Sequence, residues 1–314
     1  MSSGGNFADF FQARNAADLK VFMTNERHLR NSNHLERNNE ALFLACRNGA
    51  DKICEVLIIF GADVNYVVSQ STPLFIACYF AHPACVNLLL AHGAETSPRN
   101  VADSRTPLLA TSVEDVTQVG SALDQFIDNR CLCMRLLLDA GVVIDQRNND
   151  GFTALMCATW NFRLTEILVK AGADVNILNN IRISSLHVAS KGNDENVVQL
   201  LVEHGAAIDA VDVHGSTPLH FACCHFKPAV VDTLLHQCAD IDTVNNDGYT
   251  ALQLAMYRPV TSPNRVDVLQ LMAACAQTRL EDSSADWIRL ARNERSRSQM
   301  GSTGTARQRR RRHI

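Results

Sequence analysis

Thr217-Pro218-Leu219-His220-Phe221-Ala222, followed sixteen residues after Ala222 by Cys238-Ala239-Asp240-Ile241-Asp242, decides how this chain is read. The first string returns as Thr72-Pro73-Leu74, Thr106-Pro107-Leu108, Thr153-Ala154-Leu155, Ser185-Leu186-His187 and Thr250-Ala251-Leu252. Its Leu positions (74, 108, 155, 186, 219 and 252) are spaced 34, 47, 31, 33 and 33. The second string returns as Gly61-Ala62-Asp63-Val64-Asn65, Gly93-Ala94-Glu95, Gly141-Val142-Val143-Ile144-Asp145, Gly172-Ala173-Asp174-Val175-Asn176 and Gly205-Ala206-Ala207-Ile208-Asp209. Two co-registered strings at one period mark an internal repeat, whose unit buries its apolar face only against its neighbours.

The chemistry of a unit follows from its residues. Thr or Ser ahead of a helix accepts from its free N–H groups, and Pro in the first helical position loses no hydrogen bond there. A second helix carries apolar residues at i, i+3 and i+4, as in Val198, Leu201 and Val202 or Val231, Leu234 and Leu235, which gives one buried stripe. Gly then ends that helix in the left-handed region. Asn149-Asp150-Gly151 and Asn246-Asp247-Gly248 are turn signals that predict an extended hairpin before the next unit.

This unit resembles the ankyrin repeat, with its Thr-Pro-Leu-His helix start and Gly-Ala-Asp-Val-Asn exit. The resemblance covers about residues 40–276. It implies an all-α solenoid of seven units, at 39–68, 69–99, 100–147, 148–178, 179–210, 211–242 and 243–276. A degenerate N-terminal cap is expected over 1–38, with short helices at Phe7–Arg14 and Asp18–Thr24, and a short helix or linker over 277–294. Four departures stand out. Cys238 and Cys275 replace the exit Gly, the fourth unit is two residues short between its helices, the seventh carries extra residues at Arg258–Pro263, and the third holds an insertion at 112–129. The two cysteines predict a looser C-terminal end.

Of 314 residues, 46% are hydrophobic and 6% aromatic, so the core must be aliphatic and Ala-rich. No stretch approaches the about 18 apolar residues of a membrane span, and Met1–Phe11 lacks a signal-peptide layout. The 11 Cys show no framework spacing and read as reduced thiols, placing the protein in the cytoplasm or nucleus. The net charge of −4 is segregated: residues 285–314 carry nine Arg against Asp286 and Glu294, or +7, which leaves −11 on residues 1–284. From Ser296 onward almost nothing is apolar, so residues 295–314 are expected to be solvated and disordered. Within them Arg307, Arg309, Arg310, Arg311 and Arg312 read as a nuclear-import signal, ahead of RNA binding because no aromatic interleaves them; a solvated tail without a reader stays open.

The sequence holds no phosphate-binding Gly loop with Lys, no Gly-x-Ser-x-Gly elbow and no His-Glu-x-x-His helix, so no enzyme and no cofactor are expected. His220, Cys223, Cys224 and His225 fall within about one turn, yet only Cys224 and His225 should face outward, and no metal site is assigned. What the array offers is a surface. Outward positions are expected at Tyr79 and Phe80, Thr159 and Trp160, Ser190 and Lys191, Cys224 and His225, and Met256 and Tyr257. Tyr79, Trp160, Tyr257 and His225 are the candidate partner contacts, with Trp160 alternatively filling the gap in its shortened unit. In the insertion, Val113, Val116, Val119, Leu123, Phe126 and Ile127 recur at three- and four-residue steps. They predict an amphipathic extension of the second helix, with Leu123, Phe126 and Ile127 either docking a partner or packing on the adjacent helix. By the family resemblance Asn65 and Asn176 are candidate substrates of an asparaginyl hydroxylase, against a plain role in their own turns.

The reading is a monomeric, non-enzymatic scaffold or adaptor that binds a basic or amphipathic segment of another protein through its concave face, with neither nucleic acid nor membrane as ligand. The alternatives are a substrate receptor of a ubiquitin ligase and a nuclear regulator that uses the Arg tail. Against the first, the family's SOCS box carries a Leu-Pro motif, and no Pro follows Pro263.

Overall fold

The computed structural model describes residues 32–96, 104–114, 121–192, 194–257 and 264–277. They form helix pairs in order: α1 (Ser32–Asn48) and α2 (Asp51–Ile59), α3 (Pro73–Tyr79) and α4 (Pro83–Ala91), α5 (Pro107–Ser112) and α6 (Ser121–Asp139), α7 (Ala154–Ala158) and α8 (Phe162–Lys170). There follow α9 (Ser185–Lys191) and α10 (Glu195–Glu203), α11 (Pro218–Cys224) and α12 (Pro228–His236), α13 (Ala251–Tyr257) and α14 (residues 264–277). First helices stack on first helices and second on second, so the molecule is two helical layers with one continuous core between them. It is an all-α solenoid.

Each first helix starts as its residues require. The hydroxyls of Thr72, Thr106, Thr153, Ser184 and Thr217 accept from the backbone N–H three residues on, at 3.0–3.5 Å. In α9 and α11 the motif is reciprocal: Nδ1 of His187 and of His220 accepts the N–H of Ser184 and of Thr217, both at 3.2 Å. The opposite ring nitrogen donates into the next unit, His187 Nε2 to Ser216 O at 3.1 Å and His220 Nε2 to Tyr249 O at 3.0 Å.

The exits tie neighbours together. Asn65 Oδ1 accepts Glu95 N–H and Asn176 Oδ1 accepts Ala207 N–H, each at 2.8 Å; Asp209 does the same for Asp240 at 2.9 Å. Every such bond satisfies a backbone donor one unit away. Turns are laced as well, with Val213 N–H on Ile181 O and Asn246 N–H on His214 O. Among the described residues these connections hold only isolated bridges, Val68 with Ser71 and Val244 with Thr250, so the expected hairpins are turns too short to form strands.

Four expectations need correction. The limit at 38/39 falls inside α1, because no Thr-Pro start interrupts the polar run from Ser32. Cys238 does adopt the left-handed conformation, φ 63°, but Cys275 lies within α14, which runs on past it. The insertion does lengthen a second helix, α6 having 19 residues, but that helix starts at Ser121; Val113 is extended, with ψ 136°. The shortened fourth unit economises in its first helix, since α7 has five residues. The calls on Phe7–Arg14, Asp18–Thr24, Val116, Val119, residues 278–294 and the Arg307–Arg312 tail lie outside the described residues.

Candidate protein-interaction face

Counting from the capping Thr or Ser of each unit fixes which way first-helix side chains point. The second residue (Leu74, Leu108, Leu155, Leu186, Leu219) and the fifth (Ala77, Ala158, Ala189, Ala222, Ala255) are buried against the second-helix layer. The fourth and seventh are less buried. At the fourth, Ile76, Cys157, Val188, Phe221 and Leu254 are half-buried and Ala110 is buried; at the seventh, Tyr79, Val113, Trp160 and Cys224 are half-buried, and Lys191 and Tyr257 are exposed. The result is an apolar stripe running along the array, with aromatic rings at both ends. Phe75 stacks on Tyr79 and Tyr79 meets Phe80 edge-on at one end, and Tyr249 lies 5.6 Å from Tyr257 at the other.

The sixth position is the small buried one, and the sequence reading, which began its outward pair at the seventh position for Tyr79 and Cys224, began it one residue too early at Thr159 and Ser190. Thr159 and Ser190 are buried, as are Cys78 and Cys223. Their hydroxyls turn back on their own helices, Thr159 to Met156 O at 3.1 Å and Ser190 to Leu186 O at 2.7 Å. Met256 occupies the same position and is nevertheless 54% exposed.

The four candidate contacts fare differently. Tyr79 and Tyr257 lie on the stripe. Trp160 is on it too, but its indole N–H is spent on Ser112 O at 2.8 Å, across 48 residues. His225 is half-buried and donates its Nδ1–H to Phe221 O at 2.9 Å, which ties the ring to the end of α11. The stripe residues Ile76, Val188 and Phe221 were missed; their signal was the fourth position, apolar in each unit. Near the insertion, Ile127 is buried and Leu123 and Phe126 half-buried. The guanidinium of Arg130 lies 4.6 Å over the Phe126 ring and donates to Val113 O, and Asp128 pairs with Arg163 of α8 at 2.6 Å. Arg130 is fully buried. It too was missed, although it is the first basic residue after the acidic run from Glu114 to Asp128.

Charge does not follow the aromatic rings. Asp63, Glu95, Asp145, Asp174, Asp209, Asp240 and Asp242 all sit in the exit strings, and neither the fourth nor the seventh positions carry an acid. Asp145 is pushed above the usual carboxylate range by burial, opposed by the Asp174 N–H it accepts and reinforced by the Asp174 charge. Asn65 and Asn176 belong to the same edge, with both amide atoms engaged in the next unit. As for metal, His220 and Cys223 are buried, Cys224 and His225 half-buried, and among the described residues no three His, Cys, Asp or Glu are arranged to hold an ion. Burial pushes the Cys223 thiol up to about 12 and holds His187 and His220 below the ordinary histidine range.

Residues 12–100, 161–245 and 186–282 match the family model described as ankyrin repeats, three copies. The chain belongs to the ankyrin-repeat family. Among curated ankyrin-repeat relatives, a Fowlpox virus protein, putative ankyrin repeat protein FPV031, is 38% identical over 176 residues, 53% of this chain and 47% of that protein. Human ankyrin repeat and SOCS box protein 6 is 30% identical over 150 residues, 44% of this chain and 32% of that protein. The chain thus spans less than half of each. The ankyrin repeat domain of human ASB11 superposes with a TM-score of 0.60 at 25% identity, covering 74% of this chain and 96% of that one. Ankyrin repeats are protein-interaction modules, and the fold is typically non-enzymatic. Among the described residues no helix is long and apolar enough to cross a membrane.

Proposed function

We propose that this protein is a non-catalytic scaffold whose first-helix face binds an amphipathic segment of a partner protein. The observation that carries the reading is the apolar stripe of Ile76, Tyr79, Val188, Phe221 and Tyr257, which is half-buried to exposed and carries no acid. An apolar strip with aromatic anchors selects the apolar face of a helix or extended segment. The acidic exit strings of the same units favour basic residues on the partner's flank, which speeds encounter more than it adds affinity. Trp160 forms part of the floor and Tyr79 and Tyr257 the anchors. To test this, peptides selected from a displayed library against the full chain are measured against Tyr79→Ser and Phe221→Ser. Affinity is expected to fall by about 1–3 kcal/mol for each, with helicity unchanged. Unaltered affinity in both variants overturns the reading.

The likeness to ankyrin and SOCS box protein 6 and to the ASB11 domain favours one second reading, a substrate receptor of a ubiquitin ligase. Co-purification of cullin and elongin subunits with the full chain supports it, and their absence from an otherwise productive purification removes it. The Arg307–Arg312 tail enters the proposal as an import signal. Equal nuclear-to-cytoplasmic ratios for fluorescent fusions of the full chain and of a chain ending at Thr305 retire that part alone.

A further inference from the structure

The core beneath α1 to α4 holds a group of thiols that the interaction face does not use. Cys46 in α1, Cys54 in α2 and Cys85 in α4 are all fully buried. The sulfurs of Cys46 and Cys54 lie 3.6 Å apart and those of Cys54 and Cys85 3.9 Å apart, so Cys54 stands in contact with both of the others. Packing alone does not call for sulfur here. At the matching second-helix positions α10 carries Val197 and Val198, and α12 carries Val230 and Val231, all buried.

The three thiols are not equivalent. Cys85 is the third residue of α4, in the first turn of a nine-residue helix, where free backbone N–H groups favour an anion. Hydrogen bonds from Cys46 and from Cys54 hold its thiol below the ordinary thiol range; burial opposes them and the nearby His82 reinforces them. Cys46 is pushed the other way, by its contacts with Cys54 and Cys85 and by burial. Cys85 is therefore the nucleophile of the group, and Cys54 is the thiol within its reach in the other unit, 31 residues away in sequence. The seam between these units also carries polar contacts. His82 Nε2–H donates to Arg47 O at 3.0 Å, and the Arg47 guanidinium lies 5.6 Å from the centre of the Phe80 ring.

We propose that Cys54 and Cys85 are a peroxide-responsive pair whose disulfide staples α2 to α4 and so joins two neighbouring units covalently. The Cys85 thiolate attacks the O–O bond of hydrogen peroxide, keeps one oxygen as a sulfenic acid and releases the other as hydroxide, which takes up a proton. The Cys54 sulfur then attacks the Cys85 sulfur; the S–O bond breaks and the hydroxide leaves as water with the Cys54 proton. Two thiols and one peroxide give one disulfide and two waters, with sulfur oxidised and the peroxide reduced. Because the pair is fully buried, the reaction waits on local opening of the helices that cover it, and a dithiol reductant reverses it. The staple does not depend on the partner reading, which rests on the first-helix stripe.

To test it, the full chain is treated with hydrogen peroxide under native conditions, the remaining thiols are alkylated, and the peptides are mapped by mass spectrometry. The expected product is a Cys54–Cys85 linkage that dithiothreitol removes, with hydrogen exchange in α2 slowed at least about tenfold while it persists. In the Cys54→Ala variant, a 1,3-dione should trap Cys85 as the sulfenic acid. Oxidation confined to the exposed Cys238, with Cys54 and Cys85 both alkylated, overturns the proposal. So does a Cys46–Cys54 linkage that leaves Cys85 free, or a Cys54–Cys85 linkage that leaves exchange in α2 unchanged. The map of the unmutated chain decides by itself, so a Cys54→Ala chain that fails to fold does not shelter the proposal.

Discussion

In the units that start at Ser184 and Thr217, a buried histidine closes the cap of its own helix and donates to the following unit, so polar bonds run from one repeat to the next. In the units that start at Thr106 and Thr153, Leu109 and Met156 stand in the histidine's place, both buried, and nothing equivalent crosses to the next unit through them. There the polar ties come from outside the motif. Trp160 donates to Ser112 O and Arg130 to Val113 O, the two carbonyls at the end of α5 where the insertion departs. The family model passes over the same region, leaving residues 101–160 outside its matched ranges. One architecture is thus held in two ways: by a repeated bond that any unit can supply, and by two side chains that serve only this insertion.

The comparison breaks if the clamp is dispensable. Arg130→Ala removes a fully buried side chain and strands Val113 O, so a loss of about 3–4 kcal/mol in urea denaturation is expected, with hydrogen exchange accelerated first in α5 and α6. A loss spread evenly over the array would mean that the insertion has no separate support. The corresponding change in the regular part, His220→Leu, imitates the irregular units. It leaves Thr217 N–H and Tyr249 O without their ring partners and should cost about 2 kcal/mol. A neutral result would make the histidine bonds ornamental.

Protonation probes the same bonds. Burial holds His187 and His220 below their unfolded value near 6.5, so the unfolded chain binds more protons as pH falls through that value. Stability contributed by the neutral rings is complete above about pH 6.5 and is lost as pH falls toward their folded values. Thermal unfolding followed from pH 7.5 to 5 should therefore show a decline that the double variant His187→Leu, His220→Leu flattens. The smallest effect is at Cys238, where φ is 63°: Cys238→Gly should raise stability by about 1 kcal/mol, and no gain would mean that the strain is relieved elsewhere.

The repeat was legible because its punctuation is chemical: a hydroxyl that caps, a proline without an N–H to lose, and a residue in the left-handed region at each exit. The contact face was legible only in part. Thr159 and Ser190 look like surface residues in a sequence, but their hydroxyls bond their own helices and the side chains are buried. Phe221 and Val188 look like core, yet both side chains are only half-buried. Trp160 reads as an anchor until its indole N–H is found on a carbonyl 48 residues away, a partnership that periodicity does not encode. Cys275 misled for a similar reason, since a Gly replaced at a repeat's exit can mean a strained stop, as at Cys238, or a helix that continues, as in α14.

Hydroxyl-radical footprinting of the full chain with and without a saturating selected peptide tests the central claim most directly. The account predicts protection at Ile76, Tyr79, Val188, Phe221 and Tyr257, with Ile59, Leu132 and Val143 on other surfaces unchanged. Protection of the latter three, with the first five still reactive, would contradict it.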